Sequence, residues 1–441
     1  MTNLMHTRAE GRCCLTGNPH AAQRLARRAL KIYQFALRRA TQTGEKKMAM
    51  RFVVQAECDR MNRRNRNVSY RSSFPEDRFW RDIRTGDFLI TGGEQMERSQ
   101  AVLSYVRTIL SSSKRTIIIL DGTGGLESSL ISMYSGTPKT GRGTLYVYSP
   151  THKGYDVFGG MDPYTVLQFL TEVTARQPRG SEISPAYMEA VLAVVKTVTS
   201  LTMENIRKLL TKKDDEILQI ARRAGIAQHY IDVLANPGSN GQNFRAFFPN
   251  LELVFSNIWC RNTAEGHNIV RDISAGGVIY INAQSKRPEL FYKYFGIVLD
   301  YIGASQYSRF DTIFYEISLR SSYGLLEHIE GAMQRTNETI GICSGNIAPV
   351  VQQCPFVVDI PIHILYTRGG TMLPTAIVQK YGTYDFCFPK RVFRDGMLPS
   401  LFNWEIGMAK RDRIMPQDMN EQGVSKLMKG HNGEEIVLVR G

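Results

Sequence analysis

The segment Gly92-Gly-Glu-Gln-Met-Glu97-Arg98-Ser99 stands in the register of a phosphate loop, GxxxxGK[ST]. In such a loop glycines let backbone N–H groups wrap phosphates, a lysine neutralises their charge, and the hydroxyl holds Mg²⁺. Here the first glycine and the hydroxyl survive. Glu97 replaces the second glycine, adding a Cβ and a negative charge that faces a triphosphate, and Arg98 replaces a compact ammonium with a wide planar fork. Local sequence alone reads as a strand, a turn and a helix without a ligand. A second element carries related chemistry. Phosphoryl-transfer enzymes of this type end a later strand with an Asp for Mg²⁺ and a Glu that polarises the attacking water. Thr312 to Glu316 has Tyr315 in the place of the Asp and Glu316 in the place of the Glu. Arg335 follows on the next helix, and a further strand ends at Ser344-Gly-Asn346, where polar sensor groups belong. The plain alternative is a surface pair between Glu316 and Arg335, which would contribute little.

These residues need a scaffold, and the chain supplies alternating elements. Phe88 to Ile90 is an apolar run broken by Gly92 and Gly93, and Ser99 to Leu110 has helical spacing. Thr116 to Leu120 ends at Asp121 and the glycine cluster DGTGG. Leu145 to Tyr148, Gly277 to Asn282, Thr312 to Glu316, Thr339 to Cys343 and His363 to Thr367 are further strands. Apolar runs without alternation are what a parallel sheet covered on both faces requires. The fold class is therefore α/β with right-handed crossovers. Between residues 161 and 236 the strands stop. Ser184-Pro185 starts one helix, Thr202 caps a second, and Asp214 and Asp215 open a third that Gly225 ends, so this region reads as an all-α insertion. The two aspartates suit the positive end of a helix dipole better than an acid pair.

Composition narrows the partners. The 441 residues are 43% hydrophobic and 22% charged, an ordinary globular balance for two or three domains. No run is apolar and long enough to span a membrane, and the N-terminus lacks the apolar core of a signal peptide, which predicts a soluble cytoplasmic protein. Seven cysteines without CxxC spacing argue against a disulfide framework or a structural metal, and the eight histidines are scattered. The net charge of +14 is concentrated. Sixteen Lys and Arg stand against Glu10, Glu45, Glu57 and Asp59 in residues 1–75, which leaves the rest nearly neutral. Leu25, Ala29, Ile32 and Ala36 follow helical spacing with Arg24, Arg27, Arg28, Lys31, Arg38 and Arg39 around them. Arg63, Arg64 and Arg66 lie in NRRNRN, a run that reads as a linker. Nucleic-acid phosphates and anionic lipid both fit such an arm, as does a solvated helix packed on the body of the protein.

From residue 85 onward the order of elements resembles the TraD/TraG-like type IV coupling proteins, the DNA-pumping ATPases of conjugation and type IV secretion related to FtsK and HerA. The resemblance rests on FLITGGEQMERSQAVLSYVRTIL, on IIILDGTGGLESSL where the family usually reads DPKG, and on the helical insertion. It continues through RDISAGGVIYINAQ, TIFYEISLRSSYGLLEHIEGAMQRTNETIGICSGN and RDRIMPQDMNEQGVSKLMKGHNGEEIVLVRG. It implies a RecA-like P-loop NTPase domain over 85–160 and 237–441, an all-α insertion domain over 161–236, and a basic helical arm and linker over 1–84. It further implies ATP and Mg²⁺ as cofactors, with Gly92, Gly93, Arg98, Ser99 and Asp121 lining the nucleotide pocket and Ser99 holding the metal. Glu316 would be the catalytic glutamate and Arg335 a trans-acting arginine. The implied partners are DNA or a relaxase–DNA complex, other secretion components, and further subunits in a homo- or hetero-oligomeric ring at the inner membrane's cytoplasmic side. Glu97, Tyr315 and DGTG depart from the family pattern at the phosphate cradle and the Mg²⁺ site, which points to weak or absent hydrolysis. A non-catalytic scaffold packed beside an active ATPase is the competing expectation.

Overall fold

The computed structural model describes residues 31, 46–65, 68–70, 80, 86–112, 115–136, 143–175, 182–260, 266–305, 309–318, 323–366, 383–391, 404–412, 425–429 and 436–440. Arg24, Arg27, Arg28, Arg38, Arg39 and Arg66 of the basic arm lie outside them. Lys31 and Arg64 are exposed.

The chain divides into two compact units. The smaller holds the helix Lys46–Asn65 and the antiparallel strands Thr383–Arg391 and Trp404–Asp412, paired with Met408 opposite Cys387. This grouping differs from the expected division, which gave everything after residue 237 to the nucleotide-fold domain. NRRNRN is also not a linker through its first four residues. The helix runs to Asn65, and Asn62 anchors it by donating from Nδ2 to the Cys387 carbonyl (2.8 Å) and accepting the Cys387 N–H (2.5 Å). An amide side chain that imitates a strand edge in this way satisfies both exposed groups of the neighbouring backbone. Cys58 and Cys387 are both fully buried in this unit.

The larger unit is built on a mostly parallel sheet. Its elements in chain order are β1 (Phe88–Gly92), α1 (Gln95–Ser112), β2 (Thr116–Asp121), α2 (Glu127–Gly136) and β3 (Thr144–Tyr148). The helical run follows: α3 (Pro163–Thr174), α4 (Pro185–Val198), α5 (Met203–Leu210), α6 (Asp214–Ala224), α7 (Gln228–Ala235) and α8 (Asn240–Val254). Then come β4 (Gly277–Asn282), α9 (Pro288–Ala304), β5 (Phe310–Tyr315), α10 (Tyr323–Ala332), β6 (Glu338–Ser344), β7 (Ile362–Tyr366), β8 (Ser425–Lys429) and β9 (Ile436–Arg440). Among these strands the order is β8-β9-β7-β1-β6-β5-β2-β4-β3, and the short strand Val68–Tyr70 borders β8 in the same ten-stranded sheet. All neighbours from β9 to β3 run parallel, and β8 is antiparallel to β9.

This is the expected α/β arrangement. β1, β2, β4 and β5 are buried at every residue, because the sheet is covered on both faces and alternation has no solvent side to report. One face packs under α1 and α2 through Phe88, Ile90, Tyr105, Ile117, Leu130 and Tyr280. Because β6 lies between β1 and β5, the strand leading to the loop Gly92–Glu94 and the strand ending at Tyr315 are second neighbours, with Cys343 and Ser344 of β6 between their C-terminal ends.

The helical run extends to Val254, beyond the expected end at residue 236. Its local signals act as read from sequence. Thr202 accepts the Asn205 N–H (3.1 Å), and Gly225 ends α6 in the left-handed region at φ 66°. Ser184 precedes Pro185 at the start of α4 without a side-chain cap. Asp214 opens α6 and pairs with Arg245 from α8, so its carboxylate serves both the helix dipole and a cross-helix tie. An aromatic seam of Phe169, Phe255, Phe291 and Tyr294 joins the run to α9, with Tyr294 centred 5.3 Å from Phe169 and 4.8 Å from Phe255. Among the described residues no single helix is long and apolar enough to cross a membrane.

Candidate functional site: a phosphate cradle filled by its own side chains

The C-terminal ends of β1, β2, β4, β5 and β6 converge, and the structure brings Gly92, Gly93, Arg98, Ser99, Asp121, Tyr315 and Glu316 together there. Gly92 and Gly93 have φ of 81° and 62°, a region closed to most side chains. A Cβ on Gly92 would lie 2.0 Å from the Tyr366 carbonyl oxygen, so the loop is pressed against β7. The turn then delivers the chain into α1, whose N-terminus points its free N–H groups at the cradle.

The Glu94 N–H is not left for a ligand. Glu97 curls back so that Oε2 accepts the Glu94 N–H at 2.9 Å. With Glu94 preceding the first helical residue, Glu97 is the third, and this is the carboxylate half of a capping box. The same oxygen would be 2.4 Å from a Cβ on Gly93, so it lies directly on the loop.

Arg98 is turned inward and is 7% exposed. Its Nη1 donates to the carbonyls of Gly92 (2.8 Å) and Gly93 (2.7 Å), and its Nε donates to Glu316 Oε1. Glu316 Oε2 accepts the Gly345 N–H at 3.2 Å. One ion pair thus ties the loop after β1, the end of β5 and the turn after β6. Glu316 sits at φ 50°, the one non-glycine residue with positive φ among those described, and its N–H donates to the Cys343 carbonyl (2.7 Å). Strain of this kind persists where surrounding contacts over-determine it, and here Arg98 and Gly345 do so.

Tyr315 takes the place of a metal-binding carboxylate. Its hydroxyl is 2.7 Å from Ser99 Oγ, which itself donates to the Gln95 carbonyl (2.8 Å). Burial pushes the Tyr315 phenol up to about 12, so it is neutral at physiological pH and offers Mg²⁺ no charge. The fit to Mg²⁺ therefore fails on chemistry: a hard divalent ion wants an anionic oxygen here, and it meets a phenol already bonded to Ser99.

Asp121 lies in this region but does not face a ligand. Its carboxylate accepts the N–H groups of Thr123 (2.8 Å), Gly124 (2.9 Å) and Leu126 (2.9 Å), and the hydroxyls of Thr123 (3.0 Å) and Tyr280 (2.8 Å). It is fully buried and organises the DGTGG loop.

Arg335, expected to act in trans, lies away from the cradle of its own chain. It precedes β6, whereas the cradle meets the far end of that seven-residue strand, about 20 Å away at the usual rise per residue. Its Nη2 contacts Asp300 (2.6 Å) and its Nη1 contacts Glu338 (3.4 Å). The surface pair between Glu316 and Arg335 is likewise absent, since Glu316 is held by Arg98. Arg335 belongs to a network with His328, whose ring is fully buried between Asp300 (2.8 Å) and Glu338 (3.0 Å). Asn346 at the expected sensor position accepts the Ala348 N–H (3.1 Å) and so caps the next turn.

Sequence reasoning missed the capping role of Glu97 and the inward turn of Arg98. The signal for the first was present as an acidic third residue of the helix. The second depends on Glu316, 218 positions away, and had no local signal.

No family model and no curated protein sequence matches the chain. Solved structures do align with it. The conjugative coupling protein TrwBdeltaN70, in its unbound monoclinic form, is 14% identical, covers 88% of this chain and 91% of its own, and gives a TM-score of 0.48. TrwB in complex with the non-hydrolysable ATP analogue ADPNP is 13% identical, with coverages of 87% and 91% and a TM-score of 0.45. VirB4 of Thermoanaerobacter pseudethanolicus is 13% identical over 60% of this chain and 73% of its own, with a TM-score of 0.35.

Proposed function

We propose that the chain is a coupling-protein-like member of the P-loop ATPase fold that recruits DNA or a nucleoprotein substrate for type IV secretion or conjugation, with ATP hydrolysis weak or absent. The observation behind the second half is the inward pairing of Arg98 with Glu316. It removes the cation that would face a phosphate and the carboxylate that would polarise water, in one contact. The neutral Tyr315 on Ser99 removes the Mg²⁺ position as well. These same features support the competing scaffold role, in which the subunit packs beside an active ATPase. In either role the basic arm, including Arg24, Arg27, Arg28, Lys31, Arg38 and Arg39, supplies contacts to polyanions.

ATP turnover by the purified protein with Mg²⁺, with and without DNA, tests the second half of this proposal. We expect turnover at background, unstimulated by DNA and unchanged in Glu316→Gln. DNA-stimulated turnover that disappears in Glu316→Gln would overturn the proposal. For the arm, replacing Arg24, Arg27, Arg28, Lys31, Arg38 and Arg39 together by Gln should weaken DNA binding and flatten its dependence on salt, because each lost phosphate contact reduces the slope of log K against log salt by about one. An unchanged slope in a titration at several salt concentrations would place DNA binding elsewhere.

A further inference from the structure

We infer that Glu97 is the resident anion of the cradle: its carboxylate occupies the place of a phosphate and keeps the loop closed to phosphorylated ligands. This rests on reading Gly92 to Ser99 as a phosphate loop, and it concerns anion binding, whatever the outcome for turnover.

Three observations point the same way. The loop keeps the backbone shape of a cradle, with consecutive left-handed glycines followed by an 18-residue helix. Yet Glu97 Oε2 lies on the Glu94 N–H and against Gly93, where a bound anion would receive its hydrogen bonds. The nearby Arg98 is neutralised from the other side by Glu316, so an incoming phosphate meets carboxylates on two sides without a free counter-charge. Glu97 therefore does more than cap a helix. It satisfies the loop, repels the ligand the loop would otherwise attract, and leaves the shape of the cradle intact beneath it.

The probe is pyrophosphate, added without metal to the full-length protein at about 0.15 M salt, where exposed charges of the basic arm are screened, and followed by calorimetry. The wild-type chain should show no saturable binding in the millimolar range. Glu97→Ala should bind at least about tenfold more tightly, because it both uncovers the Glu94 N–H and removes a like charge. Glu97→Gln, which can still accept the Glu94 N–H but carries no charge, should gain less than the alanine variant. Circular dichroism confirms that each variant is folded, and if Glu97→Ala is not, the Gln variant decides by a severalfold gain. Saturable pyrophosphate binding by the wild-type chain, or folded variants that bind no better than it, would overturn the inference. Turnover plays no part in these readouts, so a failure here is distinct from a failure of the proposed function.

Discussion

An Asp121→Ala variant is expected to lose about 3–5 kcal/mol of unfolding free energy, measured by urea denaturation at neutral pH. The substitution strands the buried Leu126 N–H and Tyr280 hydroxyl and removes the acceptor of the more accessible Thr123 and Gly124 N–H groups. Each buried donor left without a partner costs about 1–3 kcal/mol, and the loop can recover part by relaxing. Asp121→Asn should cost less, since one oxygen still accepts, but its NH₂ group then opposes a donor from Leu126 or Tyr280. A nucleotide-contacting aspartate would behave in the opposite way, with stability spared in the alanine variant. That result would restore Asp121 to the ligand side of the site.

His328→Leu is expected to cost about 3–5 kcal/mol, because it leaves the buried Glu338 carboxylate facing Thr312 and the more distant Arg335 without its closest cationic partner. The pH dependence gives a second, independent reading. Burial alone would lower the His328 pKa, but its hydrogen bonds to Asp300 and Glu338 outweigh that and hold it up at about 9. A histidine whose folded-state pKa is raised contributes its full stabilisation below its unfolded value near 6.5. That stabilisation, about 3 kcal/mol at 1.36 kcal/mol per unit, is lost as pH rises through about 9. Wild-type stability should therefore fall between about pH 6.5 and 9, and the leucine variant should lack that decline. Two parallel curves across that window would show that His328 is buried neutral.

Much of this architecture was legible in sequence for a physical reason. In a covered parallel sheet nearly every strand residue is buried, so TIIIL, GVIYIN and TIFYE announce themselves without alternation; the observed strands add Asp121 to the first, match the second, and run from Phe310 to Tyr315 for the third. Thr202 and Gly225 were legible because capping is local chemistry. What could not be read depends on partners distant in sequence. The fate of Arg335 was decided by Asp300, 35 residues earlier, and that of Arg98 by Glu316. NRRNRN looked like a linker because it lacks apolar residues, yet arginine favours helix, and Asn62 is held by a strand 325 positions away. The cradle was half legible. Its substitutions were visible, but not that Glu97 and Arg98 would turn on the loop itself.

The strand order also sets a schedule for synthesis. β1 leaves the ribosome early, but both of its neighbours, β6 and β7, are among the later strands. FLITG must wait for roughly 250 further residues before either edge is paired, which at about 5–20 residues per second is about 12–50 seconds of exposure. Meanwhile β2 gains β4 and then β5, so one flank of the sheet assembles before the centre closes. A nascent chain with an apolar strand open on both edges is a substrate for chaperones and a site for wrong pairing. The yield of folded protein should therefore depend on translation speed and chaperone supply more strongly than the stability of the finished fold would suggest.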